Sequence, residues 1–206
     1  IVAAAGGSAE RRPSPALIAH GMLAALGLVL AVTASGAFDE LSTEARWREL
    51  GYVTHANSRY GRIVATRLGS QMSIYESGVL AASAPDRLAA EETVHIPMLQ
   101  HPHPERILLL GGGLGGAVGE ILKHPSVRAV DYVELDPEIV RLARATFGPP
   151  MWEGLDDPRV QVHFGDARFF VKRASGEYDV VILGMPDPET AQLNRFYTAE
   201  FMQEIS

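Results

Sequence analysis

The sequence predicts an α/β protein: a Rossmann-like, doubly wound parallel sheet preceded by a small β-hairpin domain and a transmembrane helix. Three observations carry that prediction. Arg106-Ile-Leu-Leu-Leu110 is an apolar run that ends in Gly111-Gly-Gly-Leu-Gly-Gly116 and then a helical pattern. About twenty residues later a second apolar run ends in acids, the spacing of a nucleotide-binding βαβ unit. From Pro13 to Phe38 the chain carries no Asp, Glu, Lys or Arg. Together they divide the 206 residues into a linker or disordered segment (1–15), a transmembrane helix (16–38), an amphipathic linker (39–57), a small β domain (58–86) and a Rossmann-like ligand-binding domain (87–206).

The run from Ala16 to Thr33 is almost wholly apolar, close to the roughly 20 residues that span a bilayer. Gly21, Ala24, Ala25 and Gly27 would let another helix approach closely. His20 is the one ionisable group inside, near enough to the end of the span to reach the interface. A signal peptide competes with this reading, with Arg11-Arg12 as its basic region and Ala34-Ser-Gly-Ala37 as its cleavage site. A buried soluble helix is the third reading. Arg11 and Arg12 on one side and Arg46 and Arg48 on the other give the positive-inside rule no clear vote. Ile1 to Pro15 reads as an Ala/Gly/Ser/Pro connection, and Ser206 falls partway through the helix after the fourth sheet strand. The expectation is therefore an internal fragment, with a C-terminally incomplete sheet domain.

Asp39 to Leu50 reads as a short amphipathic helix that includes Trp47. Arg62–Thr66, Met72–Tyr75 and Val79–Ala82 read as short strands, punctuated by Gly69 and Gly78. A helix from Leu88 to Leu99 leads into the sheet. Its Glu91 and Glu92 either face a substrate or form a solvated acidic first turn.

In the sheet domain, four consecutive apolar residues before Gly111 imply a strand buried on both faces. Glycines let the backbone turn sharply and bring bare N–H groups to a ligand, which nominates Gly111, Gly112, Gly113 and Gly115. The second strand ends at Glu134, placed to accept hydrogen bonds from ribose hydroxyls, and Asp136-Pro137 opens the next helix. A third strand, Val160–Phe164, runs into Gly165-Asp166-Ala167; a fourth, Tyr178–Leu183, runs into Gly184-Met-Pro-Asp187-Pro188. All four carboxyl ends carry glycine or acid, where open α/β sheets bind ligands. No Gly-x-x-x-x-Gly-Lys-Ser/Thr occurs, and no basic residue flanks the glycine turn. An uncharged or cationic adenosyl group suits this turn better than a pyrophosphate. The sheet is then of the S-adenosylmethionine-dependent methyltransferase type.

From Ser58 onward the chain resembles the spermidine synthase (polyamine aminopropyltransferase) family. The residues that carry the resemblance are Ser58-Arg-Tyr60-x-Arg62-Ile63, Val94-His95-Ile-Pro97, His101-Pro-His-Pro104, the Gly111–Gly116 turn and Lys123-His-Pro-Ser-Val127. Val133-Glu-Leu-Asp136, Asp157-Pro-Arg-Val160, Gly165-Asp-Ala167, Asp187-Pro188 and Phe196-Tyr-Thr198 continue it. The resemblance implies transfer of an aminopropyl group from decarboxylated S-adenosylmethionine to an amine. It implies that Glu134 holds the ribose hydroxyls and Asp166-Ala167 the adenine, with no prosthetic group. It also implies a membrane-fused branch in which this helix is the last of several.

The reactive side departs from the family pattern. Leu114 replaces the aspartate of Gly-Gly-Gly-Asp-Gly-Gly, and Gly184 replaces the first aspartate of Asp-Ser-Ser/Thr-Asp-Pro. Tyr60-Gly61 stands for Tyr-Gln, and Ala89-Ala90-Glu91 for Tyr-His-Glu. An attacking amine must lose its proton, so missing carboxylates bear directly on the chemistry. Asp187 remains as the candidate catalytic acid, or as the initiator of an Asp-Pro turn.

Three functions stay open: an aminopropyltransferase-like enzyme, a methyltransferase using S-adenosylmethionine, and a non-catalytic adenosyl-ligand-binding domain of a membrane protein. A net charge of −7 argues against nucleic acid and fits a small cationic amine. The absence of cysteine excludes disulfides and thiolate zinc sites. Two prolines in His101-Pro-His-Pro104 prevent helical ligand spacing, so no metal is expected. A homo-dimer is left open. The expected location is the inner or plasma membrane, with the catalytic domain facing the cytoplasm where adenosyl donors are made.

Overall fold

A computed structural model describes residues 14–174, 178–188 and 191–205. The chain divides into two compact units, with the boundary in sequence between Arg46 and Trp47. Among its described residues the first is one helix, α1 (Pro15–Trp47), which runs unbroken into the segment expected to be a distinct amphipathic helix. Its apolar side chains are open, with Met22, Leu23 and Leu28 each about two-thirds exposed. Among the described residues it is the one helix long and apolar enough to cross a membrane.

The second unit begins with a four-stranded antiparallel meander: β1 (Tyr52–Asn57), β2 (Arg62–Leu68), β3 (Gln71–Glu76) and β4 (Val79–Ala84). Strand β1 corrects the expectation of a linker over 39–57. Its Tyr-Val-Thr-His-Ala-Asn is half polar, and it sits at the sheet edge with no residue fully buried. An edge strand of this kind leaves little hydrophobic alternation to read. Helix α2 (Arg87–Met98) follows, its first turn capped by the Asp86 carboxylate, which accepts from the Ala89 amide at 3.3 Å.

The larger sheet holds β5 (Arg106–Leu110), β6 (Ala129–Glu134), β7 (Val160–Phe164) and β8 (Val180–Leu183), all parallel, in the order β7-β6-β5-β8. Helices α3 (Ala117–Leu122), α4 (Pro137–Thr146) and α5 (Ala167–Arg173) make the connections between them, and α6 (Ala191–Asn194) and α7 (Ala199–Glu204) follow β8. Strand β5 shows why the central run is continuously apolar. Ile107 and Leu109 pack into one core, together with Ile63 and Ile74 of the meander, while Leu108 and Leu110 pack into the other with Phe196 and Phe201. All four are at most 2% exposed. The chain leaves β5 toward β6 on one side and returns to β8 on the other. The carboxyl end of β5 is thus a topological switch point, where open α/β sheets form their ligand crevice.

Candidate adenosyl-binding site

At that switch point lies a cavity walled by the glycine turn, the ends of β6, β7 and β8, the β3–β4 hairpin and residues that follow α6. Gly111 and Gly112 are on its wall; Gly113 and Gly115 are not. The turn has less free amide than expected. The Gly111 amide donates to the Val133 carbonyl at 2.9 Å, and the Gly115 amide to the Met151 carbonyl at 2.8 Å. What glycine supplies here is close approach. Gly112 has φ +64°, and a Cβ there would lie 2.1 Å from the Gly184 carbonyl oxygen. A Cβ on Gly113 would lie 2.4–2.6 Å from the ring of Tyr132.

Tyr132 in turn organises the acid at the end of β6. It is fully buried, and its hydroxyl donates to Glu134 Oε2 at 2.6 Å. The Asp136 amide donates to Glu134 Oε1 at 3.3 Å. Burial lifts the Glu134 carboxyl above its usual range, against these hydrogen bonds, which favour the charged form. Burial and the Glu134 charge together push the Tyr132 phenol well above its ordinary value, so it stays a donor. Asp136 caps α4, accepting from the Glu138 amide at 3.0 Å, with Pro137 in the first turn. Asp136 is only 2% exposed, and its Oδ2 has no hydrogen-bond partner.

At the end of β7, Gly165 and Ala167 face the cavity, while Asp166 between them is occupied elsewhere. Its carboxylate caps α5 through the Phe169 amide at 3.1 Å and pairs with the Arg195 guanidinium. Arg195 lines the cavity, lies over the Phe196 ring and carries a buried Nε without a partner. Leu114 lines the cavity at 6% exposure. Gly184 lines it too, where an added Cβ would meet the Gly111 carbonyl oxygen at 2.7 Å and Gly112 Cα at 3.2 Å. Beyond wall residues Met185 and Pro186, Asp187 is exposed and off the wall. The Tyr197 hydroxyl secures this loop, donating toward the Met185 and Pro186 carbonyls at 3.0 and 3.1 Å.

The fold also brings in residues that sequence reasoning missed. Glu76, the last residue of β3, lines the cavity with Tyr60, Ser77 and Leu80. Its carboxyl is pushed up to about 7, first by burial and then by the charges of Glu134 and Asp136. In the sequence it stands in Tyr75-Glu-Ser-Gly78, which reads as a polar hairpin turn. Arg195 was equally hidden, since nothing local ties residue 195 to residue 166. His101 and His103 stand apart, with His124 and Arg128, around a separate open cavity. Among the described residues no three His, Asp or Glu are grouped to hold a metal ion.

A switch-point cavity with a part-buried carboxylate beside a close-packed glycine turn is what a nucleoside-binding sheet presents. Comparison with known proteins identifies which one. Residues 87–206 match the spermine/spermidine synthase domain. The chain belongs to the spermine/spermidine synthase family. It is 37% identical over 203 aligned positions to a polyamine aminopropyltransferase of Streptomyces coelicolor, covering 93% of this chain and 38% of that protein. It is 40% identical over 112 positions to the spermidine synthase of Dictyostelium discoideum, covering 54% of this chain and 39% of that one. The chain spans less than half the length of these relatives. Among solved structures, a spermidine synthase in complex with the transition state analogue AdoDATO superposes with a TM-score of 0.68 at 29% identity, over 75% of this chain and 53% of that one. The spermidine synthase of Thermotoga maritima gives 0.66 at 28% identity, over 75% and 52%. The spermidine synthase likeness thus covers three quarters of the chain, and the parallel α/β sheet is the one the sequence predicted.

Proposed function

We propose that the chain is an aminopropyltransferase-like module that binds decarboxylated S-adenosylmethionine and passes its aminopropyl group to a small amine. The observation that carries this is Glu134, part-buried and oriented by Tyr132 at the carboxyl end of β6, in a family member whose fold matches a spermidine synthase crystallised with AdoDATO. Glu134 takes the ribose hydroxyls, and Gly111 and Gly112 let the sugar and sulfur lie against the turn. Ala167 and the Asp166–Arg195 pair border the adenine. Gly113 and Gly115 act from behind, by packing on Tyr132 and on the Ser83 backbone.

Asp187 is the acid nearest in sequence to the reacting end, and its exposed position makes it a collector of cationic amine. Leu114 and Gly184 place no carboxylate there. That apolar reacting end favours a second reading, a site that holds adenosyl ligands without turnover.

Two measurements separate these readings. Calorimetric titration with methylthioadenosine is expected to show one site per chain, and a folded protein that binds none ends both. Incubation with decarboxylated S-adenosylmethionine and an amine is expected to release methylthioadenosine. Binding without release over hours selects the ligand-holding module.

We also assign α1 as a membrane anchor at the inner or plasma membrane. The charge-free run of Pro13 to Phe38 exceeds the 7–15 residues of a signal-peptide core. Ala34–Ala37 lies inside an unbroken helix rather than at its end. Carbonate extraction of membranes is the test: release of the full chain into the supernatant would refute the anchor.

A further inference from the structure

We infer that Glu76 is a specificity-determining residue of the adenosyl cleft, adding the negative charge that prefers a sulfonium ligand over the neutral thioether left after transfer. This rests on the adenosyl-binding reading and goes beyond it, since the ribose acid Glu134 contacts both ligands alike.

The placement comes from the hairpin. Strand β3 pairs Glu76 with Ile63 of β2 and with Val79 of β4, and the side chain lines the same cavity as Glu134, Gly111 and Leu114. The groups that act on its carboxyl are Glu134 at the end of β6 and Asp136 at the start of α4, both acids. Asp136 adds an independent sign of unmet demand, because its Oδ2 is buried without a hydrogen-bond donor. The cavity's own cation, Arg195, is taken up by Asp166 at the end of β7. Tyr60 and Tyr132 are the remaining titratable groups on the wall, and Tyr132 is held as a donor to Glu134.

In the donor, sulfur is bonded to C5′ of the ribose, so an acid held near the ribose acid also lies near the sulfonium. Positive charge there relieves the repulsion among the three carboxylates. When the amine's lone pair forms the new C–N bond, the C–S pair returns to sulfur and the positive charge passes to the alkylated nitrogen, which releases a proton to solvent. The product is then a neutral thioether in an acidic cleft, which favours its release.

The test uses two probes that differ by one methyl and one charge: 5′-dimethylsulfonio-5′-deoxyadenosine and methylthioadenosine. Both are titrated into the wild-type chain, E76Q and E76D at pH of about 5.5 and about 8.5. Wild type is expected to prefer the sulfonium by about tenfold at the higher pH, as one close charge pair at intermediate dielectric provides. At the lower pH, with Glu76 protonated, the preference should fall toward parity. E76Q should show parity at both values, and E76D should keep the preference, which a role in folding alone would not produce. Unchanged preference in E76Q, or none in wild type that binds both probes, overturns the assignment. Failure of wild type to bind either probe overturns the adenosyl-site reading, and the assignment with it.

Discussion

At the scale of single residues, the cleft is a balance between part-buried and buried acids and the few donors that reach them. Glu134 is held by Tyr132 and the Asp136 amide, so exchanging one carboxylate oxygen for an amide nitrogen removes the charge and one acceptor, leaving ribose and these two donors to share a single oxygen. Hydrogen bonds to a charged group contribute about 1.5–3 kcal/mol each. E134Q is therefore expected to weaken methylthioadenosine binding by roughly ten- to a hundredfold, measured by calorimetry, and unchanged affinity would remove Glu134 from the site. Glu76 carries a second consequence, for stability. Its folded value of about 7 lies above its ordinary 4.5, so between those pH values the folded state binds more protons than the unfolded one. Stability is accordingly lost as pH rises through that window, on the order of 1–3 kcal/mol. The melting temperature of the ligand-free protein should fall between pH of about 5 and 8, and E76Q should flatten that slope. An E76Q slope as steep as wild type would place the titration elsewhere.

At the scale of elements, the glycine turn and the β8 loop form one backbone-to-backbone contact. Gly112 and Gly184 each exclude a side chain from the other. Gly112→Ala combines an unfavourable positive φ with overlap on a carbonyl, and strained backbone of this kind costs about 1–3 kcal/mol before any clash. A drop of several degrees in melting temperature is expected, with methylthioadenosine affinity down at least about tenfold. Gly184→Asp tests the apolar reacting end. Its Cβ would meet the Gly111 oxygen at 2.7 Å, so an acid is not accommodated there without a shift of the backbone. The variant should be less stable by about 1–3 kcal/mol and no faster in methylthioadenosine release. A gain in turnover would show the loop free to move.

The same elements explain what could be read from sequence. Strand β5 was legible because burial on both faces removes polar alternation, and the turn after it because six residues include five glycines. The place of Glu134 at the end of β6 followed from the spacing. The β1 edge strand, the Glu76 carboxylate and the Arg195–Asp166 pair were not legible. Each depends on contacts across the fold, and none leaves a local period or motif.

At the scale of the whole chain, the two units differ in what stabilises them. The meander and parallel sheet share one buried core, with Ile63, Ile74, Ile107 and Tyr132 all at 0% exposure. Helix α1 buries almost none of its apolar face. A long helix with exposed leucines and valines is unfavourable in water, because apolar surface costs roughly 25 cal/mol per Å² left solvated, and a bilayer removes that cost. The second unit should therefore stand without the first. A chain of residues 47–206, which retains the Trp47 ring packed 4.6 Å from Tyr75, is expected to be monodisperse without detergent. It should unfold in one cooperative transition and bind methylthioadenosine within about threefold of the full chain in detergent. Aggregation of the fragment, or loss of binding, would mean that α1 contributes to the core or the cleft. Retained binding would place the adenosyl site wholly within residues 47–206 and leave α1 outside it.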